Sequence, residues 1–282
     1  MKIALSTEST CDLPKELLEK YNISTLPYCV ILGEEIVEDD ETVPEKIYDF
    51  VEKTKKLPKT SAINEESYSE YFKKLLKKND AVIHITLSSG LSSSNSHAVS
   101  AAEKLENVYV IDSKSLSTGI ALLCVYAREL IDEGNTPEVV VQKVSARIPY
   151  IQASFVVERL DYLYKGGRCS RLALFGANLL KIRPQIIVKD GVMSPAKKFR
   201  GKMDSVISKY CEETLSEFNT PDKSIVFVTH TSATPEMVEN AISAVKNAGF
   251  KNVYDTVAGG TITSHCGEHV LGILYFNDGK KI

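Results

Sequence analysis

The chain has 282 residues, 43% of them hydrophobic and 25% charged, with 34 basic against 37 acidic side chains. This is the composition of a folded chain of two ordinary-sized domains, and its near balance of charge excludes a global electrostatic case for nucleic acid or an anionic membrane. No apolar run approaches the roughly 20 residues of a spanning helix, and the opening MKIALSTEST breaks at Ser6, too short for a signal peptide; the reading is a cytoplasmic protein without stable membrane insertion.

Lys2 to Leu5 predicts a buried strand running into the hydroxyl-rich Ser6, Thr7, Glu8, Ser9, Thr10 and Asp12, before Leu13-Pro14 opens a helix to about Tyr21. Ile23 to Val37 is an extended apolar stretch interrupted by Gly33. The acidic run Glu38-Asp39-Asp40-Glu41 lacks a ligand spacing and reads as a solvated turn. Pro44 to Lys55 predicts a helix, Leu57 to Asn64 a loop with the adjacent hydroxyls of Thr60 and Ser61, and Glu65 to Lys78 an amphipathic helix.

The apolar run Ala81 to Ile85 then meets the most unusual stretch, in which six of the nine residues from Ser88 to Ser96 are serine. Strand, hydroxyl-rich turn and helix start in that order favour an anion, because the first N–H groups of a helix are unpartnered and carry partial positive charge. Ser, Asn and Gly also simply cap a helix and make a turn, but here there are more hydroxyls than one cap needs. Val108 to Ile111 is a further strand with its own Asp112 to Gly119 loop, and Ile120 to Glu133 its helix. Through about Pro149 the repeated strand-loop-helix order predicts a parallel sheet with helices on both faces and a site beyond the carboxyl ends of its strands.

After Pro149 the pattern changes. Ala153 to Val157 predicts a strand, Arg159 to Tyr164 a short helix, Lys165-Gly166-Gly167-Arg168 a tight basic turn, and Ser170 to Ile182 an apolar helix around Leu172, Leu174, Phe175, Leu179 and Leu180 that suits a tunnel wall. Pro184 to Val188 and Val192 to Ala196 flank Asp190-Gly191, a hairpin signal. Met203 to Phe218 predicts a helix, Ile225 to Val228 a strand, Thr234-Pro235 a capped helix start, and Val253 to Val257 and Leu271 to Phe276 the last strands, with Ala258 to Gly267 as a loop between them. This second sheet should be mixed. The chain therefore divides into residues 1–150, a three-layer α/β/α domain, and 151–282, a mixed-sheet α/β domain.

Chemistry-bearing motifs are few. There is no Gly-Lys-Ser/Thr of a P-loop, no G-x-G-x-x-G after a strand and no G-x-S-x-G. His265-Cys266-Gly267-Glu268-His269 matches H-x-x-E-H, but Gly267 at its centre opposes the helix that this zinc pattern requires; no metal site is expected. The six cysteines, Cys11, Cys29, Cys124, Cys169, Cys211 and Cys266, show no C-x-x-C spacing and predict free thiols. A hydrolase using His265 with Ser92, or a metal at His265 and His269, stands as the enzymatic alternative.

Taken in order, Glu8-Ser9-Thr10-Cys11-Asp12-Leu13, Thr60-Ser61, Ser88-Ser89-Gly90-Leu91-Ser92, Asp112-Ser113 with Ser117 and Gly119, Lys165 to Arg168 and His265-Cys266-Gly267 resemble the motifs of the DegV family of bacterial fatty-acid-binding proteins, which includes the FakB carrier subunits of fatty acid kinase. The resemblance runs nearly end to end. It implies a non-enzymatic carrier with no cofactor, holding one long-chain fatty acid such as palmitate and presenting its carboxylate to a separate kinase. It further implies carboxylate contacts from the Thr60-Ser61 and Ser92-Ser93-Ser94 loops and His265, with Arg168 near the pocket mouth. Departures from the family pattern are Glu8, Ala62, Ile63, Ser93, Glu268 and His269. At about 0.8 kcal/mol per buried methylene, some fourteen methylenes contribute roughly 11 kcal/mol before ordering costs, so the tail supplies affinity and the carboxylate contacts set which end is presented.

Overall fold

The computed structural model describes residues 1–169 and 182–279. In chain order its first half runs β1 (Ile3–Glu8), α1 (Lys15–Lys20), β2 (Ile23–Leu26), β3 (Cys29–Leu32), β4 (Glu35–Glu38), α2 (Val43–Thr54), β5 (Lys59–Ser61), α3 (Glu65–Leu76), β6 (Ala81–Thr86), α4 (Ser94–Ala102), β7 (Val108–Asp112), α5 (Thr118–Asp132) and α6 (Pro137–Arg147). The second half runs β8 (Ile151–Val156), α7 (Asp161–Lys165), β9 (Arg183–Lys189), β10 (Val192–Phe199), α8 (Met203–Glu217), β11 (Ile225–Thr231), α9 (Pro235–Asn247), β12 (Asn252–Val257), α10 (Gly260–Cys266) and β13 (Val270–Phe276). The helix predicted from Ser170, with Leu172, Leu174, Phe175, Leu179 and Leu180, lies outside the described residues.

The fold class read from the sequence holds: α/β, with one parallel and one mixed sheet. The parallel sheet has the order β2-β1-β6-β7. Every residue of β6 is buried, as a parallel strand covered on both faces requires. The mixed sheet has the order β10-β9-β8-β13-β11-β12, its pairs antiparallel except β11 with β12. Local signals place its elements as expected. Asp190 and Gly191 both take positive φ, 53° and 82°, at the β9–β10 turn, and Thr234 accepts the Met237 N–H at 3.2 Å ahead of Pro235.

Three elements differ from the sequence reading. Ile23 to Val37 is not one extended stretch: β2 joins the parallel sheet, while β3 and β4 form a hairpin at Gly33 to which β5 adds, giving a separate antiparallel sheet β4-β3-β5. Thr60 and Ser61 therefore sit on a strand, opposite Val30 and Cys29, rather than on a loop. The segment predicted as a loop after β12 contains α10, which ends at Gly267, where φ is 78°.

Helix α5 is buried along nearly its whole length because it serves both sheets, touching β1 and β6 on one side and β8, β11 and β13 on the other. One apolar cluster accordingly runs through both halves, from Leu5, Ile83 and Ile120 to Phe155, Phe227 and Leu274. A second fills the far face of the mixed sheet, where Ile207 and Met237 of α8 and α9 meet Val228 and Ile273. At the end of α6, Arg147 is buried and ion-paired to Asp222 and Asp278, each at 2.6 Å, with its guanidinium carbon 3.7 Å from the centre of the Phe276 ring. Removing one partner of such a cluster leaves buried charge uncompensated. Arg147→Ala should therefore lower stability by about 3–5 kcal/mol in urea unfolding, and a loss within the roughly 0.5 kcal/mol of a surface change would refute that role.

Candidate functional site

The loops that follow β1, β6 and β7 leave the parallel sheet at its carboxyl edge and converge on α10 from the other half of the chain. Buried carboxylates do the joining. Asp39 accepts the backbone N–H groups of Gly260 and Thr261 at 2.6 and 3.0 Å, and the Ser9 hydroxyl at 3.0 Å. Asp12 accepts the Gly259 N–H at 2.9 Å and the Ser117 hydroxyl at 2.5 Å. Glu8 accepts the Leu87 N–H at 2.7 Å together with the hydroxyls of Tyr68 and Thr10. Asp39, read from the sequence as part of a solvated turn, is thus a correction: it is only 7% exposed, because the turn lies against the start of α10 and supplies the acceptor that these N–H groups need. A Cβ on Gly260 would stand 2.3 Å from Val43, so glycine is what lets α10 settle on α2.

Beneath these loops lies a cavity whose wall includes Thr60, Ser92, Arg168 and His265 together with Tyr28, Leu87, Leu91 and Met193. The structure thus brings together four of the residues expected from the sequence. Ser94 is buried behind them, accepting the Ile63 N–H at 3.0 Å, whereas Ser61 and Ser93 are exposed and do not line the cavity. A second chamber, walled by Phe155, Val270 and Leu274, adjoins the first and shares Leu116, Ile262 and Cys266 with it. It is apolar in character even where hydroxyls line it. Ser117 donates to Asp12, Thr229 bonds Thr118 at 2.6 Å, and Thr231 donates to the Gly267 carbonyl at 2.6 Å, so each hydroxyl is taken up by the protein.

Two hydrogen-bond chains end at the first chamber. His265 Nε2 lies 2.8 Å from Thr60 Oγ1, and its Nδ1, buried, has no partner among the described residues. Burial, assisted by the positive charge of Arg168, lowers the imidazole to about 4, so the ring is neutral. On the other side, Ser92 Oγ accepts from the Tyr28 hydroxyl at 3.1 Å and from the Ser94 N–H at 3.2 Å. Burial raises the Tyr28 phenol and keeps it a donor. Arg168, exposed at the mouth, donates to the Gly166 carbonyl at 2.7 Å and to the Leu91 carbonyl at 3.4 Å. A Cβ on Gly166 would come within 2.7 Å of His265 Nδ1, so the Lys165 to Arg168 turn needs glycine to approach the ring.

This arrangement gives the hydrolase alternative no support. His265 Nε2 is bonded to Thr60 rather than to Ser92, and its Nδ1 meets no orienting carboxylate among the described residues. His269 is turned to Glu158 at 2.6 Å, and α10 stops at Gly267 before it could carry both histidines. Among the described residues no group of three or more His, Cys, Asp or Glu side chains is placed to hold a metal ion, and no helix is long and apolar enough to cross a membrane. Sequence reasoning missed Tyr28 and Asp39. Tyr28 is the one hydroxyl-bearing aromatic in the apolar stretch from Ile23 to Val37, a polar tip that needs a partner once buried; nothing local distinguishes Asp39 from its acidic neighbours.

The family model described as "Uncharacterised protein, DegV family" matches residues 2–278. The chain belongs to the DegV family. A Thermotoga maritima relative named fatty acid-binding protein is 35% identical over 224 residues, covering 76% of this chain and 78% of its own length. Among solved structures, a DegV family protein from Thermus thermophilus described by its fatty acid binding superposes with a TM-score of 0.89 at 26% identity, covering 98% of this chain and 99% of that one. A stearic acid-binding protein from Eubacterium ventriosum does so with a TM-score of 0.84 at 27% identity, covering 98% of each chain.

The tethers of this DegV chain carry a pH signature. Burial raises the Asp12 carboxyl to about 8, against the opposing hydrogen bonds from Ser117 and Gly259. A folded-state value above the ordinary one means that the folded chain keeps a proton which the unfolded chain has lost, so this contribution to stability is present at low pH and falls as pH rises towards about 8. Glu8, raised to about 7 by burial, acts in the same direction. The urea midpoint should fall between about pH 4 and pH 8, the interval between the ordinary carboxyl value and the raised ones, and Asp12→Asn, which carries no titrating proton, should flatten that fall; identical slopes in the two proteins would contradict the assignment.

Proposed function

We propose that this protein is a cytoplasmic carrier that binds one long-chain fatty acid, its tail along the two apolar chambers and its carboxylate between Thr60 and Ser92. The observation that carries the reading is the meeting of an apolar double chamber with two hydroxyls, each bonded from behind, Thr60 to His265 and Ser92 to Tyr28. With the proton of neutral His265 on Nε2, the ring donates to Thr60 Oγ1, leaving the Thr60 hydrogen free to point at a ligand. Ser92 receives Tyr28 and the Ser94 N–H in the same way, and its hydrogen is free once it leaves the long 3.3 Å contact with Ser94 Oγ. Two forward-facing neutral donors and one exposed arginine suit a single carboxylate.

The family relatives described by their fatty acid binding support the same ligand class. In this reading Ser94 braces Ser92, while Ser61 and Ser93 stand outside the head site. Residues 1–150 supply the hydroxyls, and residues 151–282 supply His265 and Arg168. The carboxylate faces the mouth, where a separate fatty acid kinase can phosphorylate it to an acyl phosphate; the carrier sequence itself has neither P-loop nor G-x-G-x-x-G motif.

Native mass spectrometry of the purified protein should find one fatty acid per chain. Thr60→Val and Ser92→Ala each remove a hydrogen bond to a charged group, about 1.5–3 kcal/mol, and should weaken binding at least about tenfold. Fatty acid affinity unchanged in both variants would overturn the head-site assignment. Acyl phosphate should form only when a kinase is added.

A further inference from the structure

The mouth chamber and the distal chamber share three wall residues among those described: Leu116, Ile262 and Cys266. Leu116 and Cys266 are 5% and 4% exposed, and Ile262 is half-buried. Ile262 and Cys266 lie four residues apart on α10, which places them on one face of the helix. Leu116 meets them from the loop after β7. His265 immediately precedes Cys266, so the helix that supports the carboxylate end also fixes how far along the tail this constriction falls.

The width of the constriction is held from both sides by one side chain. Asp12 binds the Gly259 N–H at the start of α10 with one oxygen, and with the other it binds the hydroxyl of Ser117, next to Leu116. Beyond the constriction the lining hydroxyls of Ser117, Thr229 and Thr231 are already bonded within the protein, and the remaining polar side chain, His230, has only its ring Nδ1 without a partner among the described residues, so the distal chamber offers hydrocarbon most of its wall.

We propose that Leu116, Ile262 and Cys266 form an aperture that grades fatty acids by length: a short chain remains in the mouth chamber, and a long chain threads the aperture and adds the contacts of the distal one. This rests on the carrier reading above. Each buried methylene should strengthen binding about fourfold, so affinity climbs with length only while successive methylenes find a chamber to enter. Enlarging Ile262, the least buried of the three, should close the aperture with the least cost to folding.

The test is a titration of delipidated protein with saturated fatty acids of eight to eighteen carbons. Wild type should tighten across the series. Ile262→Phe, which also touches the mouth chamber, should cost the longest acids on the order of 100-fold more than it costs the shortest. A second measurement needs no variant: acids ending in a phenyl ring should bind wild type when the chain is short and lose the gain from length when it is long, because the ring cannot thread the aperture. Equal losses at every length, no loss at any length, or long phenyl-tipped acids that bind like their plain counterparts would each overturn the aperture. Wild type that binds no fatty acid at all would overturn the carrier reading itself.

Discussion

Asp39 takes two backbone N–H groups from the first turn of α10 and the hydroxyl of Ser9, while the Tyr28 N–H donates to that same hydroxyl at 3.1 Å. Asp12 and Glu8 repeat the pattern, each a buried carboxyl group bonded to more than one segment. A buried acid without such donors would cost several kcal/mol, so the loops after β1, β6 and β7 and the start of α10 hold one another in place. Whereas Thr60 is placed by its pairing opposite Val30 in the β4-β3-β5 sheet, the positions of Ser92 and His265 depend on that mutual requirement. It also gives glutamate at position 8 a physical role: its carboxylate spans from the Leu87 N–H to the Tyr68 hydroxyl.

Much of this was legible in the chain. Strands that end in Ser, Thr and Asp, followed by helices, announced the parallel sheet and the edge at which the site lies. Asp190-Gly191 and Thr234-Pro235 carry their conformations locally and folded as expected. The β4-β3-β5 sheet was not legible, because a long apolar stretch does not say where it changes sheets. Nor was α10: its Gly259-Gly260 opening and β-branched Thr261, Ile262 and Thr263 have weak helical preference, and the helix is held by acceptors from Asp12 and Asp39, more than 200 residues earlier in the chain.

The candidate site was legible as a set of hydroxyls but not as a circuit. Serine counting pointed to the loop after β6, yet of its serines only Ser92 lines the cavity, with Ser94 behind it and Ser93 exposed. Which hydroxyl can donate forward is decided by which one is accepting from behind, and that depends on Tyr28 and His265, distant in sequence. The same logic works in reverse in the distal chamber, where hydroxyls turned to internal acceptors leave a surface that behaves as hydrocarbon.

Among the described residues β13 is the last strand in sequence, yet it lies inside the mixed sheet, paired with β8 on one side and β11 on the other. Until Val270 to Phe276 leave the ribosome, those two strands have no contact with each other, and the apolar floor formed by Phe155, Val270 and Leu274 does not exist. Closing the sheet brings together segments more than 100 residues apart, a slow and late event by the logic of loop closure. The distal chamber is therefore completed only once β13 has joined the sheet, and a chain folded no further than α10 lacks that part of the tunnel.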